Sequence, residues 1–191
     1  VCVFIAQYTG AGEPKRVGAS LWQGVYFSLL SGGLLALLAF AAPALFRLGG
    51  HPPAIQALEV IYFQALILGA PFFLLHVALG CFYSGRGLTR VVMVVNLIGT
   101  CVNLPLDYCL INGLNIGGVQ ILPEWGIVGA GVATATAWAV MSLLYALLVF
   151  RARNEACYGV RSQWRFDLSL FKRLVRYGSP SGIQLFVEIL G

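Results

Sequence analysis

Charge is what this sequence has least of. Only 10% of its 191 residues are Asp, Glu, Lys or Arg, and seven of those are acidic. A soluble domain carries about 25% charged residues, so a chain long enough for one or two such domains lacks the charge to coat them. Motifs for chemistry are missing too. There is no P-loop, no His-Glu-x-x-His and no nucleophile elbow. Gly126-Ile-Val-Gly-Ala-Gly131 has the wrong glycine spacing for a dinucleotide fingerprint and follows a loop rather than a strand. The five cysteines, Cys2, Cys81, Cys101, Cys109 and Cys157, form no CxxC pair and no metal-ligand spacing, and read as small packing residues. Catalysis and cofactor chemistry are therefore not expected.

What the sequence does have is long apolar runs. Hydrophobic residues make up 59% of it, and the mean hydropathy is +0.85. The fold class this implies is all-α, a polytopic membrane helix bundle. Runs are expected over about Val17–Phe46, Ile55–Tyr83, Val91–Ile111 and Gly126–Phe150. Val1–Tyr8 reads as the tail of a further span, and another run begins after Gly178-Ser-Pro180. Both ends of the sequence thus fall inside apolar runs, as expected of a piece of a longer protein whose signal peptide cannot be judged. Asn112–Trp125, with Gly117-Gly118 and Pro123, reads as a loop. Two runs carry small residues every fourth position, Gly24, Ser28, Gly32 and Ala36 in one and Gly129, Ala133 and Ala137 in the other. Such stripes let helices approach closely in a membrane.

The basic residues set an orientation. If the runs alternate in direction, 11 of the 12 Lys and Arg fall on the side of segments 10–18, 84–90 and 151–176, and only Arg47 falls on the other. The positive-inside rule puts the first side in the cytoplasm. Segment 151–173 carries Arg151, Arg153, Arg161, Arg165, Lys172 and Arg173 against Glu155 and Asp167. It is short and flanked by spans, so its partner is lipid headgroups rather than nucleic acid. Asp167-Leu-Ser-Leu-Phe-Lys-Arg-Leu-Val-Arg-Tyr177 has the pattern of a helix lying in the membrane interface.

Polar side chains at membrane depth are expensive unless they have a partner or water. Asn96, Asn103 and Asp107 recur at i, i+7 and i+11, within about 20° of one line on a helix. Thr100 lies beside that line, and Pro105 interrupts the backbone ladder within it. Asn103 reads either as a site residue or as a helix-to-helix hydrogen bond, and Asp107 either as a site residue or as a solvated carboxylate near the end of its span. Thr134 can satisfy its hydroxyl on its own helix. His76 reads as a membrane histidine bonded to a carbonyl, and His51 as a loop residue. Glu188 lies 11 residues beyond Tyr177, roughly 16 Å along a helix and close to the bilayer midplane. It reads as a cation or proton site, with a structural partner for a neighbouring helix as the alternative.

Several segments in order carry a family resemblance. Ala6-Gln7-x-x-Gly10-Ala-Gly12 resembles the end of the second span in the multidrug and toxic compound extrusion (MATE) transporters. Asn103-x-Pro-Leu-Asp107 with Gly126-x-x-Gly129-Ala-Gly-x-Ala-Thr134 resembles their fifth and sixth spans. Leu174-Val-Arg-Tyr-Gly178-x-Pro180-Ser, with Glu188 eight residues past the proline, is similar to the start of the seventh. The resemblance implies most of one six-helix lobe of a twelve-span transporter. Residues 1–150 would be spans two to six, 151–173 a cytoplasmic inter-lobe linker, and 174–191 the start of the second lobe. It implies efflux of cationic, amphipathic drugs in antiport with Na⁺ or H⁺, across what would be a bacterial inner membrane. No cofactor beyond that coupling ion is implied. By position, Glu188 would be the acidic residue of the second lobe, with Asn103, Asp107 and Thr134 lining the first lobe's site. Bacterial drug exporters of the family often have Asn where this chain has Asp107, so the extra carboxylate bears on ion choice. A lipid-linked oligosaccharide flippase of the wider superfamily and a non-transporting membrane scaffold are the alternatives.

Overall fold

The computed structural model describes residues 1–116 and 119–190. Gly117-Gly118, singled out in the sequence, and Gly191 lie outside the described residues. The helices are α1 (Cys2–Gly10), α2 (Pro14–Arg47), α3 (Pro53–Ser84), α4 (Thr89–Asn112), α5 (Ile127–Val149), α6 (Ala152–Tyr158) and α7 (Leu168–Leu190). Proline stands in the first turn of both α2 and α3, where its missing N–H has no partner to lose. Helices α2 to α5 are each long and apolar enough to cross a membrane. Their outer faces carry large uncovered apolar side chains, among them Leu34, Leu37, Phe40 and Leu97.

Helix α3 lies between α2 and α5, and α4 packs on α5. The small-residue stripes make these approaches. A Cβ on Gly32 would sit 2.6 Å from the Cα of Pro71, and one on Gly129 would sit 2.5 Å from the Leu110 carbonyl oxygen. No larger residue fits at either crossing. Ala133 and Ala137, on the same stripe as Gly129, are buried.

Interior prolines leave carbonyls without partners, and polar side chains take two of them. Pro43 cannot donate to Ala39, four residues back, and Gln64 of α3 donates its Nε2 to that oxygen at 2.9 Å. Pro180 likewise releases the Arg176 carbonyl, to which the Ser179 hydroxyl donates at 3.2 Å. The amphipathic segment and the run after Pro180 are consequently one continuous helix, α7. Gln64→Leu should destabilise the purified protein by about 1 kcal/mol, because it strands the Ala39 carbonyl in apolar surroundings. The change would appear as a lower midpoint in thermal unfolding. An unchanged midpoint would mean that water or a bent helix satisfies the carbonyl instead.

The tightest core lies at one end of the bundle, where Ile5, Val17, Leu21, Leu79, Phe82, Tyr145, Val149 and Val160 are almost fully buried. Val160 belongs to the basic segment that reads in sequence as an inter-lobe linker, and that segment is packed against the bundle. The stretch from 151 forms α6 and then a strap bound to α2. Trp22 donates its Nε1 to the Val160 carbonyl at 2.6 Å, Gln23 donates its Nε2 to Arg165 O at 3.3 Å, and the Tyr26 hydroxyl donates to Trp164 O. Asn154 donates its Nδ2 to the carbonyls of Leu148 and Val149 at 2.9 and 3.0 Å, closing the open end of α5. Arg86 rests 3.7 Å from the Phe82 ring centroid and 4.6 Å from that of Tyr158, a cation–π contact beneath the strap.

The loop expected over Asn112–Trp125 needs correcting. It contains an antiparallel hairpin, β1 (Leu114–Ile116) paired with β2 (Val119–Leu122), in the register Leu114↔Leu122, Asn115↔Gln120 and Ile116↔Val119. Of the cysteines expected to pack, Cys81 does so against the buried core. Cys101 and Cys157 are exposed, while Cys2, Cys81 and Cys109 are half-buried.

Candidate functional site

The polar line predicted on α4 opens onto a cleft of about 320 Å³ between α3, α4 and α5. Helix α4 contributes Asn96, Thr100 and Asn103, α5 contributes Thr134, Trp138 and Met141, and α3 contributes His76. Spacings of three and four residues put the α4 trio on one face, and Thr134 and Trp138 stand one turn apart on α5. The structure thus brings together two of the four predicted site residues, Asn103 and Thr134.

The hydrogen bonding of the cleft is incomplete. Thr100 donates its hydroxyl to Asn96 O at 3.1 Å, and Thr134 donates to Ala130 O at 3.0 Å. Each hydroxyl proton is therefore spent on its own helix, and each oxygen keeps acceptor capacity. Asn103 has its Nδ2 buried without a hydrogen-bond partner among the described residues, and so does Oδ1 of Asp107. A donor and an acceptor one turn apart on α4 are thus both left open. Buried polar groups are rarely left so, and a ligand or water can complete them. Asp107 does not itself line the cleft. It stands on the next turn of the same face, half-buried.

Glu188 lies elsewhere. It is exposed on α7, which packs on α2 and, through Leu170 and Leu174, against Phe4 of α1. Glu188 is not among the described residues lining the cleft. Trp138, Met141 and His76 line the cleft without a functional reading in sequence. Trp138 is signalled by its position four residues after Thr134. His76 does approach a carbonyl as expected, with Nδ1 3.4 Å from Phe72 O, and its ring packs edge-on against Phe73 at 5.3 Å. Among the described residues, no group of three or more His, Cys, Asp or Glu could hold a metal ion.

The MatE family model matches residues 1–109, more than half of the sequence. The chain belongs to the MatE family. The family is one of transporters rather than enzymes, so this MatE chain is not an enzyme. Curated relatives include the probable multidrug resistance protein NorM of Acinetobacter baylyi, 30% identical over 190 residues, which cover 97% of this chain and 40% of that protein. The multidrug resistance protein MdtK of Pectobacterium atrosepticum is 30% identical over 189 residues, with 97% and 40% covered. A solved structure of a multidrug resistance MATE family transporter of the MOP superfamily, in an inward-facing conformation, matches in fold with a TM-score of 0.79 at 24% identity. That match covers 94% of this chain and 39% of the other. The chain spans about 40% of the length of the curated relatives it matches. It is a MatE helical bundle and an integral membrane protein, with four apolar helices of spanning length.

Proposed function

We propose that the cleft between α3, α4 and α5 is one half of the pathway of a secondary active exporter, which expels cationic, amphipathic drugs in exchange for entering Na⁺ or H⁺. One observation carries this reading. Asn103 and Thr134 converge from separate membrane helices on a hollow of about 320 Å³, beside an open amide donor and an open carboxylate oxygen. Oxygen groups with unused lone pairs suit a small hard cation, and the Trp138 ring in the same wall suits an organic one. The multidrug resistance names of the NorM and MdtK relatives point to the same class of substrate.

In this scheme the coupling cation and the outgoing drug compete for the carboxylates of Asp107 and Glu188, with Asn103 and Thr134 lining the first lobe's site. Each ligand moves the inward–outward balance only through its different affinity for the two states. In this reading segments 10–18, 84–90 and 151–173 face the cytoplasm, which their share of the Lys and Arg residues supports, and the membrane is a bacterial inner membrane. An oligosaccharide-diphosphate flippase would need a cationic cleft, and no Lys or Arg is among the residues lining this one.

The test is efflux of a fluorescent organic cation from vesicles holding the full-length protein, under imposed Na⁺ and pH gradients. Efflux driven by one gradient and collapsed by its dissipation is expected. Efflux indifferent to both gradients would remove the antiport, and no efflux of any cation would leave the scaffold.

A further inference from the structure

We infer that the hollow between the α1–α2 turn and the start of α7 is a binding site for a phosphate group, offered either by an anionic phospholipid head or by free phosphate. It measures about 310 Å³, and Tyr8, Lys15, Arg16, Gln163, Asp167 and Arg173 are in its wall. This site is separate from the α3–α5 cleft and does not depend on what that cleft carries.

The three cations come from opposite ends of the sequence, and an aromatic pair holds two of them in place. Arg16 has its guanidinium carbon 5.5 Å from the Tyr8 ring centroid, and Arg173 has its own 5.9 Å from that of Phe4. The Phe4 and Tyr8 rings are themselves neighbours, 6.4 Å apart. Guanidinium groups parked on aromatic faces lose less freedom when they bind than free side chains do.

Two carboxylates face the same region, and both are already engaged. Glu13 accepts from Arg16 Nε at 2.7 Å. Asp167 caps α7, its Oδ1 accepting from Leu170 N at 3.0 Å and from the Ser169 hydroxyl and N–H at 2.7 and 2.9 Å. These bonds, the one from the Leu170 N–H foremost, hold its carboxyl below the usual carboxylate range. Lys15 and Arg173 make no ion pair among the described residues. Meanwhile the Tyr8 hydroxyl is buried without a hydrogen-bond partner among them. Lys15, Arg173 and the Tyr8 hydroxyl thus have no acceptor among the described residues, and phosphate oxygens supply acceptors that bind guanidinium in pairs.

Position fits a lipid head as well as a free anion. The hollow adjoins α7, whose Leu168, Val175 and Tyr177 are uncovered apolar residues, so an acyl chain has a surface to follow.

The experiment measures the thermal unfolding midpoint of the full-length protein in detergent, titrated with phosphatidylglycerol, phosphatidylcholine or inorganic phosphate. Phosphatidylglycerol should raise the midpoint, and the Lys15→Gln/Arg173→Gln double variant should bind it about tenfold more weakly or worse. Phosphatidylcholine, whose phosphate is offset by its own choline, should have little effect. Arg47→Gln, at the opposite end of the bundle, should leave the response intact. An equal response to inorganic phosphate, lost in the same double variant, would identify free phosphate as the source. If the double variant fails to fold, Lys15→Gln alone serves, since Lys15 is exposed, and a several-fold weakening is expected. No response to either anion would overturn the inference, as would a response that these substitutions leave unchanged or that Arg47→Gln abolishes equally.

Discussion

Glu188→Gln in the full-length protein is expected to abolish drug resistance while leaving expression and membrane insertion intact. The residue stands near the end of α7, and Val187, its neighbour in sequence, is largely uncovered. A charged group facing hydrocarbon costs about 2.5–3.5 kcal/mol. A carboxylate with such a neighbour is therefore held stably only where it faces a wet cavity or a polar partner. Glutamine keeps the size and the hydrogen-bonding capacity and removes the charge, so it separates the two cases. If the carboxylate attracts cations, efflux should fall by about two orders of magnitude, the loss of a close charge–charge contact in a partly dry site. If Glu188 only ties α7 to a neighbouring helix, glutamine should preserve both the tie and the transport. Resistance in cells and cation efflux from vesicles are the measurements. Wild-type efflux by the variant would take Glu188 out of the mechanism.

The spans were legible because apolar runs announce themselves. Runs expected at Val17–Phe46 and Ile55–Tyr83 became Pro14–Arg47 and Pro53–Ser84, with prolines marking both starts. The polar face of α4 was legible for the same reason, since helical period alone puts Asn96 and Asn103 on one side. What escaped the sequence was structure built on backbone atoms. The strap is held through the carbonyls of Val160, Trp164 and Arg165, and a residue's identity gives no sign that its carbonyl will be the acceptor. The bond from Gln64 to the Ala39 carbonyl depends on the crossing of α2 and α3, which the sequence does not specify. The hairpin strands, of three and four residues, are too short for alternation to stand out from a loop. Within the site, Asn103 and Thr134 line one cleft because α4 and α5 pack together. For Glu188 the sequence offers depth along one helix, and depth does not say which neighbour a side chain faces.

Asp107→Asn is expected to move stability and transport in opposite directions. Oδ1 of Asp107 is buried and unpartnered among the described residues, and an incompletely bonded carboxylate in that setting is a source of strain in the resting protein. Removing its charge should raise the thermal midpoint in the absence of coupling ion, by an amount corresponding to about 1 kcal/mol. The same change should weaken cation binding at the α4 face. Loss of one charge-assisted contact corresponds to roughly tenfold or more in the Na⁺ or H⁺ concentration needed for half-maximal efflux. A residue that merely solvates the end of α4 would change neither quantity. One that ties helices together would lower the midpoint instead. Ion titrations of vesicle efflux, set beside unfolding curves of the same variant, distinguish these outcomes. An unchanged ion requirement would reduce Asp107 to a structural role and leave Glu188, Asn103 and Thr134 as this chain's contribution to the pathway. The opposed signs follow from one cause, because a site kept open for an incoming cation is a site left unsatisfied without it.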